Sequence, residues 1–403
     1  MSAMKYWLWL SAAARTAPAV KTELLGIYES PENIFNAPPG ELAKKCGREA
    51  DELSELEKRD LSAANEIYAR CKKQGIDIIT MQDARYPARM RDIYSPPVVL
   101  YVKGSMPVID DECAVTVIGT RDSSTYGRNM ARKLGYELAS CGGLLVSGLT
   151  RGAEAEAAKA ALLAGGTVVG VLGTSHEMAK GKLFDKVAGQ GALISEYPPG
   201  TEPYRSFFRA RNRITSALSL GVCVVEAPAK SGTRLFVNDA VEQGKDLYAV
   251  PGNADSENSY GSNLLLKEGA QPVTCGWELL SVYAPVFPDK IREVDCDFSP
   301  EMMSDVDKGE KAVKKKSEPE SKKIIDKAET GGYIVMQKLP SGLSDTQKQI
   351  ISLMTEPEML VDDIIKESGL GTAKVLSDLT VMQLKGYVRQ DSGKRFTLKL
   401  KIK

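Results

Sequence analysis

Apolar residues along this chain change periodicity repeatedly, and each change marks a new kind of element. Over residues 1 to about 75, Leu, Ile and Ala recur at helical spacing, with Asn36-Ala-Pro-Pro-Gly40 as a break. The spacing predicts a small helical module over 1–80, within which Glu49 to Arg59 is charged and poor in large apolar residues. Asp83-Ala-Arg-Tyr-Pro87 and then Ser95-Pro-Pro-Val-Val-Leu-Tyr-Val-Lys-Gly104 read as a connector entering a short strand. From Ala114 the pattern becomes a series of continuous apolar runs. Ala114-Val-Thr-Val-Ile-Gly119, Gly143-Leu-Leu-Val-Ser-Gly148, Thr167-Val-Val-Gly-Val-Leu-Gly173, Ala192-Leu-Ile-Ser-Glu196, Val222-Cys-Val-Val-Glu226 and Leu247-Tyr-Ala-Val-Pro251 are strand-like. Helical stretches at Tyr126 to Ser140, Gly152 to Ala164 and Leu235 to Gln243 separate several of them. Such alternation predicts an α/β domain over 81–286, its core from roughly Asp111 to Leu280. A parallel sheet there carries helices on both faces, because strands buried on both sides read as unbroken apolar runs.

Past about Phe287 the periodicity is lost. Lys308 to Lys327 is dominated by Lys, Glu, Ser and Asp, so 287–340 reads as a charged flexible linker or, alternatively, a solvated helix. Apolar spacing returns over 341–403. Three short helices around Ile350, Val361 and Val375 precede a hairpin of Gly386–Arg389 with Arg395–Leu398, the order of a winged helix.

Composition narrows the function classes. Formal net charge is zero over 403 residues, so any nucleic-acid site must be a local basic patch. Seven scattered cysteines with no C-x-x-C pair, and one histidine, argue against structural zinc and for a reducing compartment. No metal or other cofactor is expected. The Tyr6-Trp7-Leu8-Trp9-Leu10 run is short for a signal peptide, and no stretch approaches the ~20 apolar residues of a membrane span. The expectation is a cytoplasmic protein without membrane contact.

In an open α/β sheet, ligands bind beyond the carboxyl ends of the strands. The segments that fall there are Gly119-Thr120-Arg121, Ser147-Gly148-Leu149-Thr150-Arg151-Gly152 and Lys230-Ser231-Gly232-Thr233. Small residues let backbone N–H groups approach an anion, and a helix N-terminus adds a favourable dipole. No G-x-x-x-x-G-K-[ST] (Walker) loop is present, and no G-x-G-x-x-G follows the first strand, which disfavours ordinary dinucleotide binding. Arg205-Ser-Phe-Phe-Arg-Ala-Arg-Asn-Arg213 interleaves arginines with aromatics. That mixture suits single-stranded nucleic acid, whose phosphates pair with arginine and whose bases stack on rings. A solvated helix face with Phe207 or Phe208 in the core would show the same residues. Acid–base candidates are poor: His176 reads as a loop residue, and Glu196 and Glu226 as anchors for helix N-termini or for Arg211 and Arg213.

Taken in order, Tyr86-Pro87, Pro96 to Gly104, Val117 to Arg121, Val146 to Leu149, Ser195 to Gly200, Arg211-Asn-Arg-Ile214, Ser231-Gly-Thr233, Ala249 to Gly252 and Gly261-Ser-Asn263 resemble the DNA-processing protein A (Smf) family. The resemblance implies a Rossmann-like core, an N-terminal module of sterile-alpha-motif or helix-hairpin-helix type, and a C-terminal winged helix. It implies binding and protection of single-stranded DNA, homodimers, and help in loading RecA during recombination and natural transformation, with no catalytic activity. Carried over by motif, Gly119, Thr120 and Arg121 match the family's phosphate pocket, joined by Gly148 of the SGL turn. Phe208, Arg211, Asn212 and Arg213 match its aromatic and RNR segment, Ser231 and Gly232 its SG turn, and Lys245 a basic position near the groove; Arg205 joins the candidate DNA-binding residues from the arginine–aromatic run itself. Glu154, Lys159 and Arg209 depart from the family pattern, and the segment from Thr174 to Lys182 is shortened. The competing enzyme reading is a Rossmann-like phosphoribohydrolase of the lysine decarboxylase-like type. Its P-G-G-x-G-T-x-x-E motif is not matched by Ala229-Lys-Ser-Gly-Thr-Arg-Leu-Phe-Val237. A third reading has the winged helix hold duplex DNA through Lys374, Ser377, Asp378, Lys394 and Arg395.

Overall fold

A computed structural model of the chain describes residues 3–13, 16–303, 334–336, 343–354, 359–384, 387–391, 395–398 and 400–402. Two compact units divide it, Met1–Glu318 and Pro319–Lys403.

The first unit centres on a nine-stranded sheet of order β1-β2-β6-β5-β4-β3-β7-β8-β9. Strands β3 (Ala114–Ile118), β4 (Leu144–Ser147), β5 (Val168–Leu172), β6 (Ala192–Ser195), β7 (Gly221–Val224), β8 (Asp246–Ala249) and β9 (Gln271–Pro272) run parallel. The expected sheet was wholly parallel, and the difference lies at one edge. There β2 (Val99–Gly104) pairs antiparallel with β6, Tyr101 opposite Ser195, and β1 (Asp77–Thr80) pairs antiparallel with β2. An antiparallel edge on a parallel sheet is a common extension. It starts the sheet well before Asp111.

Helices cover both faces. On one, α7 (Thr125–Ser140), α8 (Ala153–Leu163) and α9 (Lys182–Gln190) bury Leu134, Leu138, Ala157, Ala161 and Val187 over Val115, Val117 and Leu145. The alanine content of α8 follows from how closely it lies on α7: a Cβ at Gly135 would overlap the Ala157 carbonyl. On the other face, α11 (Asn212–Leu218) buries Ile214, Ala217 and Leu218 over Val146 and Val171. Beside it α12 (Thr233–Glu242) sets Phe236 and Val237 on Val222 and Val224.

The N-terminal helices α1 (Met4–Ala12), α2 (Pro18–Tyr28), α3 (Pro31–Asn36), α4 (Glu41–Cys46), α5 (Ser54–Glu57) and α6 (Ser62–Gln74) share a core with the sheet. Trp7, Leu10, Leu24, Ile34 and Leu56 form one cluster with Ile78, Val99 and Tyr101. Ser11 and Tyr101 hydroxyls are 2.7 Å apart across that join. The signal-like Tyr6 to Leu10 run is therefore the buried centre of a helical module. Residues 287–303, expected as the start of the linker, lie on the core: Ile291 is buried, and the Arg292 N–H donates to the Cys141 carbonyl at 3.0 Å. The linker reading of Lys308 to Lys327 falls outside the described residues. Among the described residues no helix is long and apolar enough to cross a membrane.

In the second unit, helices Asp345–Leu353, Val361–Ser368 and Thr372–Leu384 precede the hairpin Val388–Asp391/Arg395–Leu398. A short strand, Met359–Leu360, adds a third member to that sheet. Ser344 and Gln347 form a capping box at the first helix. Asp378, expected on the outward face of the third helix, is instead 4% exposed. It accepts hydrogen bonds from Thr346 (2.7 Å), Gln347 (3.2 Å) and Lys374 (3.2 Å), so its charge locks helices together. Lys374 and Ser377 are exposed, and Lys394 lies outside the described residues.

Candidate nucleic-acid interface

The chain runs outward from β3 through β4, β5 and β6, then returns to place β7 on the other side of β3. That reversal is a topological switch point, and loops leaving the two strands diverge to open a crevice. A cleft of about 460 Å³ lies there. Gly119, Thr120 and Arg121 form one wall, Lys230, Ser231 and Gly232 another, and Arg205, Phe208, Arg209 and Asn212 a third.

The walls are held by backbone and buried carboxylates. The Thr120 N–H donates to the Glu226 carbonyl at 2.8 Å, tying the ends of β3 and β7. The Glu226 carboxylate is buried and accepts from the Ser124 N–H (2.9 Å) and Ser124 Oγ (2.5 Å) at the start of α7. Glu226 thus anchors a helix N-terminus, as expected from the sequence, where a negative charge also meets the dipole favourably. Gly152 has φ +88°, and a Cβ there would overlap the Thr120 carbonyl, so only glycine fits between the two loops. Glu154, one of the departures, accepts from the Thr150 N–H (2.9 Å) and Thr150 Oγ1 (2.7 Å) and so closes its own helix start. Lys159, another, pairs with Glu156 at 3.1 Å on the α7–α8 side, away from the cleft. At the opposite wall, Ser231 Oγ accepts from the Thr233 N–H at 3.0 Å, and α12 begins with its N-terminus toward the crevice. The first N–H groups of a helix have no partner inside it and suit an anion.

Charge in the cleft is lopsided. Arg121, Arg205, Arg209 and Lys230 are exposed on its rim, while Asp122 is already paired with Arg151 at 2.9 Å. Arg211 lies beneath, 2% exposed, and its Nη1 donates to the Val171 carbonyl at 2.7 Å. Its Nε has no hydrogen-bond partner. A Cβ on Gly148 would overlap the Arg211 guanidinium, so the glycine makes the space for the arginine. Burial lowers the Arg211 pKa, Glu154 opposes that, and the Arg121 charge lowers it further. Two guanidiniums held near each other in a partly desolvated site are a strong attractor for an anion.

The aromatics divide. Phe207 stacks on Tyr197 with ring centroids 4.0 Å apart and meets Tyr204 edge-on at 5.3 Å. Phe208 sits over Gly173 and is 37% exposed, open to a ligand. Of the expected site residues, the cleft gathers Gly119, Thr120, Arg121, Arg205, Phe208, Arg211, Asn212, Ser231 and Gly232; Gly148 lines the chamber adjoining it. Two lie elsewhere. Arg213 donates to the Ser95 carbonyl (2.9 Å), the Ala210 carbonyl (2.7 Å) and Glu196 (2.7 Å), all structural partners. Lys245 Nζ donates to the Ala217 carbonyl at 3.2 Å, and burial, with Arg89 behind it, pulls the ammonium down to about 8. Lys230, Arg209 and Thr150 belong to the cleft but were not singled out as ligands. Lys230 stood next to the SG turn, and its place at a helix start was the available signal. His176 Nε2 lies 2.8 Å from the Tyr101 carbonyl, and burial lowers its pKa, consistent with a structural role.

A Rossmann-like sheet whose switch point carries a cationic, aromatic, open cleft defines a class of polyanion-binding α/β proteins. The chain belongs to the DNA recombination-mediator protein A family, whose model matches residues 77–284; a DprA winged helix domain matches 336–394. It is similar to Protein Smf of Synechocystis, 28% identical over 98% of each chain. It is 35% identical to DNA processing protein DprA of Bacillus subtilis over 51% of this chain and 71% of that one. The X-ray structure of DNA processing protein A from Streptococcus pneumoniae overlies it with a TM-score of 0.51 at 28% identity, covering 68% of this chain and 95% of that one.

Proposed function

We propose that this protein binds single-stranded DNA through the switch-point cleft. A backbone phosphate meets the Gly119 to Arg121 turn, Ser231-Gly232 and the α12 N-terminus, while Phe208 offers a ring to a base. The observation that carries this reading is the meeting of Arg121, Arg205, Arg209 and Lys230 around one bare-backbone crevice with Arg211 beneath it. Each phosphate neutralised releases counterions, so binding is steeply salt-dependent. In a fluorescence-anisotropy titration with oligothymidylate, the double variant Arg121→Ala, Lys230→Ala binds at least about tenfold more weakly than wild type at physiological salt. Unchanged affinity would overturn the site.

The protein acts by binding and not by catalysis on this reading: nucleoside monophosphates incubated with it release no base. Protection of single strands, loading of RecA and a homodimeric state complete the proposed role in recombination and transformation. Support for a dimer comes from a groove of about 500 Å³ between α12 and α13 (Tyr260–Lys267), where Val241 and Tyr260 are exposed. Light scattering should return twice the chain mass for wild type and a lower mass for Val241→Glu. A monomeric wild type would remove the dimer from the proposal.

A further inference from the structure

The seven cysteines are scattered without a C-x-x-C pair, and none of them lines the cleft. Folding nevertheless brings two of them together at the far end of α7. Cys141 caps that helix and is 1% exposed. Residues 287–303 wrap the same end. Lys290 pairs with Glu112 at 2.6 Å, and a Cβ on Gly142 would overlap the Lys290 carbonyl, so the backbones touch. Phe298 lies on Tyr136 of α7 with ring centroids 5.5 Å apart, and Met303 is buried. Between these contacts stands Cys296, half-buried, its Sγ donating to the Val294 carbonyl at 3.3 Å. The Cys141 thiol is hydrogen-bonded to the same carbonyl and to the Cys296 sulfur. Two thiols that share one acceptor lie within reach of a bond to each other.

We infer that Cys141 and Cys296 form a peroxide-oxidisable pair, whose disulfide fastens residues 287–303 to α7. The Cys296 sulfur is nearer to solvent and meets the oxidant first. As a thiolate it attacks one oxygen of hydrogen peroxide: an S–O bond forms, the O–O bond breaks, and the departing hydroxide takes up a proton to become water. Cys141 then gives up its proton and attacks the resulting sulfenic sulfur. The S–S bond replaces the S–O bond, and a second water leaves. Two thiols are oxidised and one peroxide is reduced to two waters. Burial pushes the Cys141 thiol up to about 11, which keeps it from reacting with peroxide by itself and leaves it the resolving partner. The S–S bond, about 2.05 Å, is shorter than any contact between thiols. Residues 291–299 have irregular backbone, so Cys296 can move to close the gap. Under reducing conditions the pair rests as thiols, and a dithiol restores it. The segment follows the sheet core and precedes the winged-helix unit in sequence, so the disulfide fixes where the chain leaves that core. The cleft stands apart: α7 starts beside it, after Ser124, and runs about 24 Å to Cys141.

The test uses the full chain, first reduced and then treated with hydrogen peroxide. Remaining thiols are capped with N-ethylmaleimide, and the digest is mapped by mass spectrometry without reductant. The expected product is a cross-linked peptide pair joining Cys141 to Cys296, absent before peroxide and lost with dithiothreitol. Under native conditions, trypsin cleavage after Lys290 and Arg292 should slow by about tenfold in the oxidised protein, because opening of the segment becomes rarer. Cys296→Ser, at a half-buried position, should abolish both effects, and Cys46→Ser in the N-terminal module should keep both. Affinity for oligothymidylate should stay within about twofold in the reduced and oxidised forms, since the pair lies far from the cleft. Recovery of Cys141 and Cys296 with maleimide, or as sulfinic acids without a cross-link, would overturn the pair. A cross-link from either of them to a different cysteine would do the same. A Cys141–Cys296 cross-link that leaves native trypsin cleavage unchanged would overturn the fastening. A loss of affinity on oxidation would overturn the separation of the pair from the cleft.

Discussion

Gly148 and Arg211 illustrate how one backbone atom can govern a charge. The arginine occupies the space where a methyl group would stand on Gly148, and its Nη1 is held by Val171. Gly148→Ala should therefore displace the guanidinium without removing it. The expected result is weaker DNA binding, by fivefold or more in anisotropy, with a loss of about 1–3 kcal/mol in urea unfolding from overpacking. Arg213 gives the contrasting outcome. Its ion pair with Glu196 is largely buried, and removing one partner leaves the other uncompensated. Arg213→Ala should cost about 3–5 kcal/mol of stability and change DNA affinity less than twofold at temperatures where the variant is folded. The two arginines stand two residues apart in one motif, and nothing in their spacing says which faces the cleft. Arg211 ends α10 (Arg205–Ala210) and faces the sheet, whereas Arg213 lies in the first turn of α11 and reaches Glu196. The motif was legible, but the roles of its members depend on a helix junction that propensity does not locate.

At the scale of elements, the strands that build the cleft were the most legible part. β3, β4, β5, β7 and β8 are largely apolar runs, the first three ending at glycine or serine, and the structure places them within a residue or two. β1 was invisible because Asp77-Ile-Ile-Thr80 is only four residues long and follows a helix closely. α9 carries an apolar face of Leu183, Phe184, Val187 and Ala188, but it is only nine residues long and bounded by Gly181 and Gly191, so it reads as part of a loop. The winged helix was read correctly as helices and hairpin, yet Asp378 was placed on the wrong side. Burial would raise its pKa, but hydrogen bonds from Thr346, Lys374 and Gln347 outweigh it, and the net shift is downward. A carboxylate held below its unfolded value stabilises the fold above that value, about 3.9, and the contribution is lost as pH falls through the lowered folded value. The isolated expectation is an acid transition of the 341–403 unit below about pH 4. Asp378→Asn should flatten this dependence, as followed by circular dichroism; an unaltered acid transition would show that another group governs it.

Across the whole molecule, the proposed site assigns DNA affinity to the first unit, since the cleft draws all its residues from 118–236. Removing residues 341–403 should therefore leave oligothymidylate affinity within about threefold of the full chain, a change well under 1 kcal/mol. A collapse of binding on truncation would move the main site into the winged helix. The most direct test of the cleft is the salt dependence of single-strand binding, measured as log K against log salt for wild type and for Arg121→Ala, Arg205→Ala, Lys230→Ala combined. For single strands the slope is about −0.7 per phosphate neutralised, so losing three contacts should make it shallower by about 2. A triple variant with the wild-type slope and affinity would contradict the switch-point cleft as the place where the strand is held.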